Sequence, residues 1–295
     1  MSLVKRAVLL LAHGAPERVE DIPAYLANIR GGSPMPLPVV REVERRYRAI
    51  GGGSPLLART RQQAVALEQR LKGIPVYFAM RNWRPLIPEV MERIQADGVE
   101  RVVAICLAPQ YSKFSVGLYF RRVQEAKVAL GMGTEILWAK SFHDHPALID
   151  AFAQKLRQAG TGDRILFTAH SLPEKVLERS DPYDREARTT ARLVAEAAGV
   201  ANWDFAYQSQ GMTGDRWLGP TVESKLDEYA TEGVRRVILA PIGFVADHVE
   251  VLYDVDIFFR NYAQERGIEL VRPESLNDSP GLIEALADTA MQRLG

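Results

Sequence analysis

Val8-Leu9-Leu10-Leu11-Ala12-His13-Gly14-Ala15-Pro16-Glu17-Arg18-Val19 and Ile165-Leu166-Phe167-Thr168-Ala169-His170-Ser171-Leu172-Pro173-Glu174-Lys175-Val176 are two copies of one pattern. Each opens on an apolar run, residues 7–11 and 165–167, that reads as a buried strand carrying a histidine to the loop at its carboxyl end. In an open parallel α/β sheet that edge is where ligands bind. The repeat therefore predicts two similar lobes, each offering a histidine to a shared cleft.

Later landmarks repeat in the same order. Phe78-Ala79, Trp83 and Pro85 return as Phe205-Ala206, Trp217 and Pro220. Asp97-Gly98-Val99-Glu100-Arg101-Val102-Val103 returns as Glu232-Gly233-Val234-Arg235-Arg236-Val237-Ile238, and Gly98 lies as far from Gly233 as Pro85 does from Pro220. A repeat of this length is too long for a solenoid unit and indicates a duplicated lobe with its own insertions.

Composition sets limits. The 295 residues are 47% hydrophobic, enough for two cores of ordinary size. Lys plus Arg and Asp plus Glu number 37 each, so there is no basic footprint for nucleic acid. The one cysteine, Cys106, lies in the apolar run 102–108 and has no partner in the chain for a disulfide or a thiolate cluster. That fits a core position and a reducing compartment, and it excludes an iron–sulfur cluster. Lys5-Arg6 ahead of an apolar stretch imitates a secretory leader, but the stretch is short and runs into His13-Gly14 without a small-x-small cleavage site. No run approaches membrane-spanning length. A cytoplasmic monomer is expected.

Strands are predicted at residues 7–11, 75–80, 101–107, 135–139, 164–168, 203–207, 236–240 and 268–271, with amphipathic helices at 55–72, 113–130, 182–198 and 281–293 between them. The fold class is α/β: two Rossmann-like lobes of parallel sheet covered by helices on both faces. The first lobe spans 1–160 and the second 161–295, divided where Ala-Gly-Thr-Gly-Asp breaks a helix near residues 160–163, and the last helix is free to pack back on the first lobe.

Two places carry chemistry. Asp247-His248-Val249-Glu250-Val251-Leu252-Tyr253-Asp254 opens a helix after strand 236–240, and helical spacing puts Asp247, Glu250 and Asp254 on one face. Asp247 and Glu250 also have capping-box spacing, which leaves Asp254 and His248 unexplained. Ser171-x-x-Glu174 is a second capping box with Pro173 in the first turn, and His170 is left over. Imidazole and carboxylate converging on one cleft make an open, weak site for a divalent first-row metal, suited to an ion that is passed on.

These segments, 167–173 and 241–254, closely resemble the two signature blocks of the ferrochelatases. Tyr47-Arg48-Ala49-Ile50-Gly51-Gly52-Gly53-Ser54-Pro55, Ala108-Pro109-Gln110-Tyr111-Ser112, Tyr207-Gln208-Ser209 and Trp217-Leu218-Gly219-Pro220 extend the resemblance over the whole chain. The family implies two Rossmann-like lobes around a porphyrin cleft and insertion of Fe(II) in haem biosynthesis, with Fe(II) and porphyrin as substrates and no permanently bound cofactor. Among its branches the pattern is closest to the bacterial coproporphyrin III enzymes.

By this resemblance His170 and Glu250 are the catalytic pair that meets the metal and the pyrrole protons, and Asp254 extends the metal path. Chemically, two pyrrole N–H groups must lose protons, and neutral imidazole can accept one near neutral pH. His13, Arg30, Arg46, Tyr47, Ser54 and Tyr119 resemble porphyrin-contacting positions, where guanidinium forks and hydroxyls suit propionates. Arg46 also lies on the charged helix face 41–48, where an arginine is usually just solvated.

Two positions depart from the family. His13 stands where coproporphyrin-type enzymes carry tyrosine, and it can either ligate the metal from the opposite porphyrin face or hydrogen-bond locally. Phe258 stands where some relatives continue the acidic stripe. The apolar, proline-rich segment 33–40 reads as a lip that favours protoporphyrin IX or peripheral contact with a membrane or a haem-pathway enzyme, or as a loop packed on its own lobe. A protoporphyrin IX ferrochelatase, a cobalt chelatase and a non-catalytic haem or metal carrier are the alternatives. Gly51-Gly52-Gly53-Ser54-Pro55 is not a nucleotide loop, and His143 and His145 read as loop and cap residues.

Overall fold

The computed structural model describes residues 4–178, 180–210 and 216–295. Strands β1 (Arg6–Ala12), β2 (Val76–Met80), β3 (Arg101–Cys106) and β4 (Glu135–Ala139) form a parallel sheet in the order β2-β1-β3-β4. Strands β5 (Arg164–His170), β6 (Trp203–Gln208), β7 (Arg236–Ala240) and β8 (Glu269–Val271) form a second parallel sheet in the equivalent order β6-β5-β7-β8. The duplication read from the sequence is thus a duplicated topology.

The first sheet is accompanied by α1 (Ile22–Ile29), α2 (Leu37–Ala49), α3 (Leu56–Leu71), α4 (Ile87–Ala96), α5 (Val116–Ala129) and α6 (Pro146–Gln158). The second half adds α7 (Lys175–Glu178), α8 (Tyr183–Ala198), α9 (Val222–Thr231), α10 (Arg260–Gln264) and α11 (Pro280–Leu294), with a π-helix over Glu250–Phe259. Strand β1 shows why helices must cover both faces. Residues 7–11 are all fully buried. Val8 and Leu10 face the cluster built on α3 and α11, while Ala7, Leu9 and Leu11 face the one built on α4 and α5. Successive side chains point to opposite faces, so a central strand needs apolar residues at every position.

Helix α11 packs across α3 and α6 rather than on the second sheet. Its Leu282, Leu286 and Ala290 share a core with Val8, Leu10, Leu67 and Ile105. The Pro85 and Pro220 echo is also structural: Met80 N–H donates to the Pro85 carbonyl at 2.7 Å and Tyr207 N–H to the Pro220 carbonyl at 2.8 Å. Both prolines follow cis peptide bonds.

Three local expectations are corrected. Ser171 forms no capping box; its hydroxyl donates to the Leu218 carbonyl, drawn away from a helix that starts only at Lys175. Asp247 lies ahead of the helix, where its carboxylate accepts from Ser275 and Asn277 and pairs with Arg272, so it shares no face with Glu250 and Asp254. The segment 33–40 is only half a loop, because α2 begins at Leu37, whose side chain is 67% exposed.

Candidate active site

In both sheets the chain moves to one side of the first strand and then crosses to the other, so a crevice opens at the carboxyl ends of β1 and β3 and of β5 and β7. The two crevices join in one cleft of about 260 Å³, lined from the first lobe by His13, Arg81, Cys106, Phe114 and Tyr119 and from the second by His170, Phe244, His248 and Glu250. Among the described residues of this wall only Arg81 carries a fixed positive charge, and its guanidinium lies 4.9 Å over the Tyr119 ring.

His170 is the last residue of β5. Its Nδ1 bonds the Ser171 carbonyl, which makes Nδ1 the protonated nitrogen of the neutral ring and leaves the Nε2 lone pair in the cleft. That Nε2 lies 3.8 Å from Glu250 Oε1. Gly243, on the loop after β7, comes so close that a Cβ there would sit 2.9 Å from Ala169 Cα, so glycine is what lets the two loops meet. Glu250 opens the π-helix, a rare geometry that recurs at functional sites. His248 flanks Glu250 from the other side, with Nε2 3.6 Å from Oε2 and Nδ1 bonded to the Ala246 carbonyl.

Charges follow from this packing. Burial raises the Glu250 carboxyl, but His170 and His248 outweigh it and hold the group at about 2. Burial lowers the His248 imidazole, and contact with Glu250 reverses that to a net rise. Asp254 goes the other way: burial and the nearby Glu250 charge lift its carboxyl to about 6, against the Ser209 hydroxyl and Arg46. Among the described residues, no group of three His, Cys, Asp or Glu side chains is arranged to hold a metal ion.

On the opposite wall, His13 Nε2 accepts from Asn82 Nδ2 at 3.1 Å and lies 3.1 Å from the Tyr25 hydroxyl. Burial and the Arg81 charge lower its imidazole to about 4. Gly14 is fixed by a φ of +83° and by Trp83, whose backbone nitrogen would lie 2.7 Å from a Cβ.

The other sequence candidates divide. Tyr119 lines the cleft. Tyr47 is buried beside Tyr25 and Val249, and its hydroxyl has no partner among the described residues. Ser54 is buried, with its Oγ accepting from Leu56 N–H at 3.4 Å. Arg30 is exposed and donates to the Pro34 carbonyl, and Arg46 pairs with Glu42 and lies 3.6 Å from Asp254. Arg46 is therefore tied to the second lobe, not simply solvated. His145 caps α6, accepting from Ala147 N–H, as its reading as a cap residue expects.

Sequence reading missed the partnership of His248 with Glu250, and missed Arg81, Asn82 and Tyr25 around His13. The adjacency of His248 to Glu250 was the available signal for the first; nothing in the spacing pointed to the others.

The family model described as Ferrochelatase matches residues 5–294. A Ferrochelatase of Acidobacterium capsulatum is 46% identical over 98% of this chain and 95% of its own length. Coproporphyrin III ferrochelatases of Geobacillus kaustophilus and Bacillus subtilis are 38% and 36% identical, the first covering 97% of this chain and 95% of its own, the second 100% of both. Among solved structures, SirB from Bacillus subtilis with Fe3+ superposes with a TM-score of 0.63 at 11% identity, covering 98% of this chain and 95% of its own. CbiX, described as the terminal enzyme for siroheme biosynthesis in denitrifying bacteria, gives 0.56 at 18%, covering 98% and 100%. At those identities the two structures are alike in fold.

Proposed function

The chain belongs to the ferrochelatase family, and from that membership we propose that it inserts Fe(II) into coproporphyrin III, with His170 and Glu250 as the working pair. Insertion of iron into a porphyrin is the family's activity, a lyase-class metal chelation in haem biosynthesis. Net chemistry requires the macrocycle to give up two N–H protons for each Fe(II) gained.

The observation that carries the reading is the facing of His170 Nε2 and Glu250 Oε1 at 3.8 Å, within the cleft, with Nδ1 of His170 committed to a backbone carbonyl. A single divalent ion with bonds of about 2 Å to nitrogen and oxygen can bridge that gap. The two groups divide the work. Glu250, held at about 2, is a poor base at neutral pH and a constant anion that attracts the metal. His170 is the proton acceptor, because its Nδ1 is committed to the Ser171 carbonyl and Nε2 is the nitrogen left facing Glu250 in the cleft. Asp254, farther along the π-helix, is the outer carboxylate on the metal's way in.

The tetrapropionate substrate is supported by relatives named for it that align over 95% or more of their length, and by the match of Arg30, Arg46, Tyr47, Ser54 and Tyr119 to porphyrin-contacting positions. Two assays test the proposal. Anaerobic Fe(II) insertion should collapse in His170→Ala, and wild-type activity in that variant overturns the assignment. Parallel kinetics on coproporphyrin III and protoporphyrin IX should favour the former; equal turnover removes the preference.

A further inference from the structure

The wall of the cleft contributed by the first lobe is held in place by the second. Between β3 and α5 the chain runs through Gln110, Tyr111, Ser112, Lys113 and Phe114, and Gln110, Phe114 and Ser115 line the cleft. Two main-chain N–H groups of this loop end on carboxylates of the other lobe: Tyr111 N–H on Glu186 Oε2 and Lys113 N–H on Asp181 Oδ2, both at 2.7 Å. The Ser112 hydroxyl also donates to Asp181 Oδ2, at 3.2 Å, and the Ser141 hydroxyl to Glu186 Oε2, at 2.8 Å. Gln110 donates to Thr190 Oγ1 and to the Ile242 carbonyl. Gln110, Ser112, Asp181, Glu186 and Thr190 are all buried. The same first turn of α8 reaches the metal side, since Asp181 Oδ1 accepts from Tyr183 N–H and the Tyr183 hydroxyl donates to the His170 carbonyl at 2.7 Å.

We propose that Asp181 and Glu186 are positioning residues that clamp the first-lobe loop 110–115 to α8 and so fix its distance from His170, setting the width of the slot the porphyrin enters. Neither carboxylate lines the cleft. Each acts through backbone it holds. A charged acceptor taking main-chain and hydroxyl donors in a buried setting is a strong tether. Its removal leaves loop N–H groups unpaired and lets Phe114 and Ser115 drift from the macrocycle plane.

The inference rests on the cleft being the porphyrin site, and its test does not pass through metal chemistry. Metal-free porphyrin binding to the full-length chain, followed by fluorescence, should weaken about tenfold in Asp181→Asn and in Glu186→Gln, with the KM for Fe(II) within about twofold of wild type in Glu186→Gln, whose side chain holds Tyr111 and Ser141 and touches neither His170 nor Tyr183. Circular dichroism melts accompany each variant, and Ser112→Ala, which removes one donor and no charge, should give a smaller shift in the same direction. Loss of maximal rate with unchanged porphyrin affinity would mean a merely structural role and overturns the clamp; so does an equal rise in both constants. Retention of iron insertion by His170→Ala would defeat the proposed catalytic pair and leave these binding measurements standing.

Discussion

His13 Nε2 lies 3.1 Å from the Tyr25 hydroxyl and 3.1 Å from Asn82 Nδ2, so this histidine is engaged by its own wall. With its imidazole lowered to about 4, it stays neutral while the unfolded chain takes up a proton near 6.5. The unfolded state then binds more protons, and stability falls as pH drops from about 6.5 toward 4. For a partly exposed group the loss is about 2 kcal/mol. Urea denaturation at pH 7 and pH 4.5 should show a smaller acid loss in His13→Asn than in wild type.

Asp254 has the opposite sign. Its carboxyl, lifted to about 6, makes the folded state carry the cost of an ionised group above that pH, and the cost disappears as pH falls below about 4. Asp254→Asn should therefore be more stable than wild type by about 1–2 kcal/mol at pH 8, with the two converging at pH 4. The same variant should take up iron more slowly at limiting Fe(II), which steady-state kinetics at varied metal would register.

Tyr47 buries a hydroxyl with no partner among the described residues. Removing an unpaired buried polar atom without changing the packed shape costs little, so Tyr47→Phe should match or exceed wild-type stability by up to about 1 kcal/mol. If the hydroxyl waits for a propionate, the same variant raises the porphyrin KM. A stability gain with unchanged KM removes Tyr47 from the binding set.

His248 holds Glu250 ionised from the side away from His170. His248→Ala should raise the KM for Fe(II) by about tenfold and leave metal-free porphyrin binding near wild type. An unchanged metal KM would reduce His248 to packing against Phe244, whose ring centroid lies 4.6 Å away.

The parallel sheets were legible because a strand buried on both faces must be apolar throughout, and residues 7–11 and 165–167 say so directly. The meeting of His170 and Glu250, the proposed pair, was legible through motif resemblance, while its surroundings were not. Local rules assigned Asp247 and Ser171 to helix caps, yet their partners are Ser275, Asn277 and Leu218, distant in sequence. Tertiary hydrogen bonds compete with capping and leave no mark on spacing. The π-helix was hidden for a related reason: residues 250–259 have a pattern that an α-helix would satisfy equally well. Arg46 shows the remaining limit, since a surface pattern does not reveal that Asp254 of the other lobe lies opposite.

Helix α11 gives the molecule an order of assembly. Its Leu282, Leu286 and Ala290 complete the core begun by Val8 and Leu10. During synthesis that face of the first sheet therefore emerges covered by α3 and α6 alone and lacks its last layer until residues 280–294 have been made, by which time the second sheet is already in hand. The lobe built first is the lobe finished last.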